Sequence, residues 1–106
     1  MASLFELNRD KFAGADLAGQ NLSFSNARGS NLSGANLSGA SFLGSFLAES
    51  DLSNADLSNA NLCHVNLRGA NLNGAKLSGA FYSRRTVWPE GFDPIEAGAI
   101  LTDHWG

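Results

Sequence analysis

The chain repeats a five-residue pattern across most of its length. The pattern is clearest in residues 35–80, where units such as Ala-Asn-Leu-Ser-Gly and Ala-Asp-Leu-Ser-Asn follow one another. Counting such a unit as positions 1 to 5, position 3 is large in every unit but one: Phe12, Leu17, Leu22, Ala27, Leu32, Leu37, Phe42, Leu47, Leu52, Leu57, Leu62, Leu67, Leu72, Leu77 and Tyr82. Position 1 is mostly Ala or Ser, position 2 mostly Asn or Asp, and positions 4 and 5 are commonly Ser with Gly or Asn. A fixed period of this kind indicates a repeat architecture.

A period of five fits neither an α-helix nor a β-strand. Leucines five residues apart would advance about 140° round a helix, so they would bury no single face. On a strand the odd spacing would send successive leucines to opposite sides. The Gly, Asn, Ser and Asp residues also oppose a helix, at about 0.5–1 kcal/mol each. We therefore predict that each unit is a short extended piece followed by a turn at Gly or Asn, which returns each large residue to the inside.

The units resemble the signature Ala-(Asp/Asn)-Leu-x-x of the pentapeptide-repeat proteins. Matching units begin Ala35-Asn36-Leu37, Ala55-Asp56-Leu57, Ala60-Asn61-Leu62 and Ala70-Asn71-Leu72, and the resemblance runs from Lys11 to about Tyr82. It implies an all-β fold, a right-handed quadrilateral β-helix with four units, hence twenty residues, per coil. About four coils would then stack at about 4.8 Å, with their backbones paired as in a parallel sheet.

A coil of twenty residues sorts the predicted core into ladders of side chains. Three ladders read Leu17, Leu37, Leu57 and Leu77; Phe12, Leu32, Leu52 and Leu72; and Leu22, Phe42, Leu62 and Tyr82. The fourth ladder reads Ala27, Leu47, Leu67 and Val87.

Both ends of the repeat are predicted to carry caps with short helices. Residues 1–11 form the predicted N-terminal cap, where Ser3 and Glu6 have the spacing of a capping box. Residues 12–82 form the β-helix, and residues 83–106 form a C-terminal cap or tail. In that tail Asp93 and Pro94 predict a helix start, with a helix over residues 94–101.

Composition places the chain among single-domain proteins. Its 106 residues carry a net charge of −3 and are 43% hydrophobic, which is enough for one core. No stretch is apolar and long enough to span a bilayer, and the charged start lacks the apolar run of a signal peptide. Cys63 is the only cysteine, so no internal disulfide can form. We expect a cytoplasmic protein with no membrane partner.

The residues that could carry chemistry are few. Cys63 and His64 are adjacent, but two ligands fall short of a four-coordinate metal site. Asp51 and Asp56 lie one unit apart, at a position where the repeat ordinarily has Asn or Asp, so a hydrogen-bonding role near the turn is the better interpretation. Phosphate-loop, dinucleotide and nucleophile-elbow motifs are missing. We expect no enzyme, no cofactor and no metal.

Two non-catalytic functions compete. The first is a structural or protein-interaction module that presents rigid flat faces to a protein partner. The second follows from the resemblance, because some family members imitate duplex DNA and bind type II topoisomerases. Mimicry needs a long acidic rod, whereas residues 12–82 hold four carboxylates against three cations, a net charge of −1. We therefore favour the interaction module, as a monomer or weak homodimer, and expect no nucleic-acid partner because no basic stripe exists.

Three large apolar residues stand at positions that the repeat points outward. Phe24 and Leu43 would share one face, with Cys63 nearby, and Phe46 would lie around the corner. An exposed apolar cluster on a soluble protein commonly marks an interface. The alternative is that the tail, with Trp88, Phe92 and Trp105, folds back and covers it. Phe24, Leu43 and Phe46 are the candidate interface.

Overall fold

The computed structural model describes residues 12–102 of the chain. The predicted N-terminal cap, including the helix at residues 3–7, lies outside the described residues, as does Trp105. Within residues 12–102 the chain forms extended pieces and turns but no helix. The all-β prediction is therefore confirmed for this part of the chain.

The repeat winds into coils of twenty residues. Parallel backbone bridges join position 2 of units in successive coils, as from Asp16 to Asn36, and from Asn36 to Asp56. Hydrogen bonds reinforce each bridge on both sides: the Leu37 amide donates to the Asp56 carbonyl, and the Asp56 amide to the Ala35 carbonyl, at 2.8 and 2.9 Å. Each coil thus pairs with the next along its whole circumference, which is the predicted solenoid.

Within residues 12–102, regular strands occur only near the C-terminal end of the repeat. Strand β1 is Phe81–Tyr82 and strand β2 is Ile100–Leu101. The two pair in parallel, with Phe81 opposite Ile100 and Tyr82 opposite Leu101. Elsewhere each unit extends too briefly before its turn to give more than a single bridge.

A turn closes each unit because position 5 adopts a positive φ. In the unit that ends at Gly34, φ is 66°, and the Ala35 amide donates to the Leu32 carbonyl at 3.1 Å. A positive φ at the third residue of such a turn is typical of type II, which favours Gly or Asn. Position 2 supports the turn through its side chain: Asn31 Oδ1 accepts a hydrogen bond from the Ser33 amide at 3.0 Å. The turn therefore accounts for the Gly or Asn at position 5 and for the Asn or Asp at position 2 of the repeat.

The large residues at position 3 fill the interior. Fully buried members are Leu22, Leu32, Leu37, Phe42, Leu47, Leu52, Leu57, Leu62 and Leu67, with Leu72, Leu77 and Tyr82 nearly so. Phe12 and Leu17 are partly buried against the same core. Most of the buried serines at position 1 donate their hydroxyls to backbone carbonyls, as Ser50 Oγ does to the Leu47 carbonyl at 2.7 Å. Ser30 Oγ is the exception and has no hydrogen-bond partner within residues 12–102. The three predicted ladders therefore line one continuous core.

The fourth predicted ladder was wrong at its last member. Val87 bridges Asn66, twenty-one residues away instead of twenty, and its side chain is 45% exposed. Thr86 consequently occupies position 1, where its buried Oγ1 donates to the Leu62 carbonyl at 2.8 Å. Trp88 then takes the inward position and packs against the core. One extra residue between Tyr82 and Thr86 accounts for the shift, as in a β-bulge.

The predicted helix over residues 94–101 was also wrong, although its start forms. The Asp93 carboxylate accepts a hydrogen bond from the Glu96 amide at 3.2 Å, as an N-cap does. The turn ends at Gly98, which adopts φ 91°, and β2 follows after Ala99. The Ile100 amide donates to the Ala80 carbonyl at 2.7 Å, so the backbone pairs with the preceding coil and does not continue as a helix.

Candidate interaction surface

Phe24 is the most exposed large apolar side chain of the described residues. Its side chain is 73% exposed, and it stands at position 5 of its unit, where φ is 58°. A bulky side chain at positive φ is strained, at a cost of about 1–3 kcal/mol. The ring lies over Gly44, one coil later, so closely that a Cβ there would meet a ring carbon at 2.5 Å. Phe24 therefore combines backbone strain with an exposed aromatic ring.

Leu43 and Cys63 lie on neighbouring rungs beside Phe24. The Phe24 amide donates to the Leu43 carbonyl at 2.8 Å, and the Gly44 amide donates to the Cys63 carbonyl at 3.0 Å. Leu43 is half-buried and Cys63 is completely buried. The accessible apolar surface of this face is thus built from Phe24 and Leu43, while the buried Cys63 lies in the next coil and adds none.

Phe46 stands in the next unit and belongs to a second surface. It is half-buried and bridges Asn26 and Asn66 in the adjoining coils. The Arg28 guanidinium lies 5.9 Å from the centre of its ring, within range of a cation–π interaction. Among residues 12–102, the aromatic rings in contact are Tyr82 with Trp88 and Trp88 with Phe92. Phe24 and Phe46 therefore do not stack on each other.

A shallow groove of about 410 Å³ opens beside Phe46 and is called the Arg28 groove here. Arg28, Phe46, Ala48, Glu49 and Arg68 line it. Arg28 Nε and Nη2 both donate to Glu49 Oε1, at 3.1 and 3.0 Å. Both side chains of this ion pair are more than half exposed, so it adds little to the stability of the fold. Its effect is to hold the Arg28 guanidinium in place over the ring.

The other chemistry-bearing residues have structural roles. Burial raises the pKa of the Cys63 thiol, which disfavours the reactive thiolate. No group of three or more metal-binding side chains occurs within residues 12–102. Asp51 accepts hydrogen bonds from the Ser53 amide and hydroxyl at 3.0 and 2.6 Å. The Asp51 carboxylate thus stabilises its turn, as expected for position 2 of the repeat.

Asp56 shows the same arrangement with a consequence for pH. Hydrogen bonds from the Ser58 side chain and amide hold the pKa of Asp56 below its ordinary value. A lowered pKa in the folded state means that the ionised carboxylate stabilises the fold above the ordinary pKa. This contribution is lost as the pH falls through the folded-state pKa.

Replacing Ser58 by Ala should raise the pKa of Asp56 towards its ordinary value. The substitution removes the hydroxyl donor and leaves the backbone donor, at 3.0 Å, in place. A carbon-detected NMR titration of the Asp56 carboxyl group measures the shift. Ser38→Ala, one coil earlier and beside Asn36, is the matched control and should leave Asp56 unchanged. An unaltered pKa in Ser58→Ala would show that the hydroxyl does not matter.

The described part of the tail, residues 83–102, does not cover Phe24. Trp88 and Phe92 stack at 5.2 Å, and Trp88 meets Tyr82 edge to face at 5.3 Å. These rings pack against the last coil, at the end of the solenoid. The described part of the tail is therefore a cap on that end, and the Phe24 face stays open among the described residues.

Sequence reasoning missed a second apolar area at the C-terminal end. Exposed members are Phe81, Val87, Ile95, Ile100 and Leu101. Ile100 and Leu101 belong to β2, which follows the last complete coil. One signal of this area is present in the sequence, the triplet Ala99-Ile100-Leu101. Its Ala and Leu match positions 1 and 3 of the repeat, as at the start of a further unit.

Comparisons with known proteins agree with this architecture. A family model described as pentapeptide repeats, in eight copies, matches residues 11–47 and 45–81. The crystal structure of a pentapeptide repeat protein from Nostoc Pcc 7120, alr5209, is 41% identical, covers 90% of this chain and 83% of that one, and has a TM-score of 0.52. That of Rfr23 from Cyanothece 51142 is 35% identical, covers 69% and 53%, and has a TM-score of 0.48.

The remaining comparisons add less. A structure of QnrB1, a plasmid-mediated fluoroquinolone resistance protein, is 18% identical, covers 96% of this chain and 90% of that one, and has a TM-score of 0.26. A comparison with curated proteins gives no match. In residues 12–102 no helix is long and apolar enough to cross a membrane.

The similarity to solved pentapeptide-repeat structures gives the solenoid its hand, which is right-handed. The family model spans residues 11–81, which is more than half of the chain. The chain therefore belongs to the pentapeptide-repeat family.

Proposed function

We propose that this chain is a non-catalytic module that binds another protein through the face carrying Phe24 and Leu43. The observation that supports it is the position of Phe24. The residue is 73% exposed at φ 58°, so the fold bears backbone strain for a side chain that it barely buries. An aromatic ring held rigidly outside the core is the usual centre of a protein interface.

The rest of the molecule suits that role. Backbone pairing between coils makes the face rigid, so binding would order few new groups. The described residues offer few side chains for catalysis, because Cys63 is buried and the carboxylates of Asp51 and Asp56 accept hydrogen bonds within turns. DNA mimicry of a topoisomerase substrate gains no support, since residues 12–82 carry a net charge of only −1.

Replacing Phe24 by Asn should abolish association without harming the fold. Asn tolerates positive φ, as Asn54 and Asn59 show at the same position of their units. We expect the free energy of unfolding to rise by about 1 kcal/mol because strain is relieved. Thermal melting measures stability. Affinity capture from an extract of the source organism, with quantitative mass spectrometry, measures binding, and sedimentation detects a weak homodimer.

Ala18→Asn is the matched control, because Ala18 is an exposed position 4 residue on another face. It should leave both readouts unchanged. A protein partner or homodimer that is lost with Phe24→Asn and kept with Ala18→Asn would support the proposal. Equal association of both variants would overturn it. A large fall in stability on Phe24→Asn would instead show that the ring serves the fold.

A further inference from the structure

The Arg28 groove is flanked by two arginines with a small residue between them. Arg28, Ala48 and Arg68 all occupy position 4 of units in the same column, so the two arginines are two coils, or about 10 Å, apart. Ala48 between them is buried and leaves a notch. Phe46 supplies an aromatic wall on one side. The groove thus presents cations and apolar surface within the width of one extended peptide.

The charges in the groove do not balance. Arg28 is engaged by Glu49 at 3.0 Å. Within residues 12–102, the Arg68 guanidinium has no carboxylate at salt-bridge distance, and it is exposed. Two cations therefore face one carboxylate on a chain whose net charge is −3. Guanidinium groups favour carboxylates because their planar donors can bind both oxygens.

We propose that the Arg28 groove binds an acidic peptide segment of a partner protein, with a carboxylate on Arg68 and an apolar side chain against Phe46 and Ala48. The inference rests on the proposed interaction function and names the chemistry of the partner. A nucleic acid fits less well, because a phosphate backbone needs a longer row of cations than two arginines with a glutamate between them.

The test uses nitrogen-labelled protein titrated with the peptide acetyl-Phe-Glu-Glu-amide and followed by NMR. Shifts should concentrate on Phe46, Ala48 and the Arg68 Nε signal. The neutral peptide acetyl-Phe-Gln-Gln-amide should bind about threefold to tenfold more weakly, since exposed ion pairs contribute modestly. Added salt should weaken binding of the acidic peptide further.

Arg68→Gln should reduce the affinity for the acidic peptide by about threefold to fivefold. Lys76→Gln, an exposed cation in another column, is the matched control and should bind as the unmodified chain does. Melting temperatures should agree because both sites are exposed. Equal affinity for both peptides, equal losses in both variants, or no shifts in the groove would each overturn the inference.

The two proposals can fail separately. If Phe24→Asn loses the captured protein and Arg68→Gln keeps it, the interaction function stands and the groove inference falls. If the acidic peptide binds the groove while Phe24→Asn still captures every partner, the groove stands and the Phe24 face is not the contact. The peptide titration needs no knowledge of the natural partner.

Discussion

Replacing Leu57 by Asp is expected to prevent the chain from folding. Leu57 is completely buried, in the ladder between Leu37 and Leu77. Removing its side chain to Ala would already cost about 2–5 kcal/mol. Asp adds an unpaired carboxylate in an apolar interior, and no polar side chain of that ladder can satisfy it. Against a typical stability of about 5–15 kcal/mol, the sum leaves little or no folded protein.

Circular dichroism and the dispersion of proton NMR signals measure this outcome. Ser38→Asp is the matched control, since Ser38 is the half-buried residue directly after Leu37 and faces outward. It should change the free energy of unfolding by about 0.5 kcal/mol or less. A folded Leu57→Asp with native dispersion would mean that position 3 does not face the core, and the repeat register would have to be abandoned.

The core could be predicted from the sequence because the residue types within each unit determine its backbone turn and the direction of its large side chain. Gly or Asn at position 5 supplies the positive φ, and the Asn or Asp at position 2 supports the turn, as Asn31 does for Ser33. With the turn fixed in this way, the large side chains at position 3 point into the interior of the coil. Any one unit is weak information, but many units in one register exclude the helix and the plain strand.

The inward-facing residues after Tyr82 were harder to predict, because the register there depends on one inserted residue. Ser83 is buried, and its Oγ accepts a hydrogen bond from the His64 amide at 3.1 Å, where regular units offer a carbonyl. A hydroxyl that replaces a backbone acceptor leaves no trace in a hydrophobic pattern. The sequence therefore placed Val87 inside, whereas the bulge turns Trp88 inward.

The tail misled the prediction for a related reason. Asp93 and Pro94 are good residues for starting a helix, and the first turn forms. Whether a helix continues depends on competing partners, and here the Ala80 and Tyr82 carbonyls accept from the Ile100 and Thr102 amides at 2.7 and 2.8 Å. Local propensity yields to that pairing, since a helix of one or two turns is weak alone.

The candidate surface was only partly predictable. An outward position could be read for Phe24, but its positive φ and its place over Gly44 follow from the coil geometry. The Arg28 groove was not foreseen, because Arg28 and Arg68 are forty residues apart in the sequence. Only the coil stacking brings them to one column, with Phe46 beside them.

Replacing Trp88 by Ala is expected to lower the free energy of unfolding by about 2–4 kcal/mol. Trp88 links the last coil to the tail through its contacts with Tyr82 and Phe92, and each aromatic pair adds about 0.5–1.5 kcal/mol beyond its buried area. Loss of the ring should also free β2, so the Ile100 amide should exchange its hydrogen faster while the Leu37 amide stays protected. Chemical denaturation and hydrogen exchange measure the two effects.

Trp88→Phe and Val87→Ala complete the experiment. The buried Trp88 Nε1 finds no acceptor within residues 12–102, so Phe removes an unsatisfied donor along with part of the ring and should cost about 1 kcal/mol or less. Val87→Ala should cost about 0.5 kcal/mol or less, because its side chain is 45% exposed. The decisive comparison is between the two alanine variants. If Val87→Ala destabilised the protein more than Trp88→Ala, the twenty-residue register would continue past Tyr82 and Val87 would belong to the core ladder.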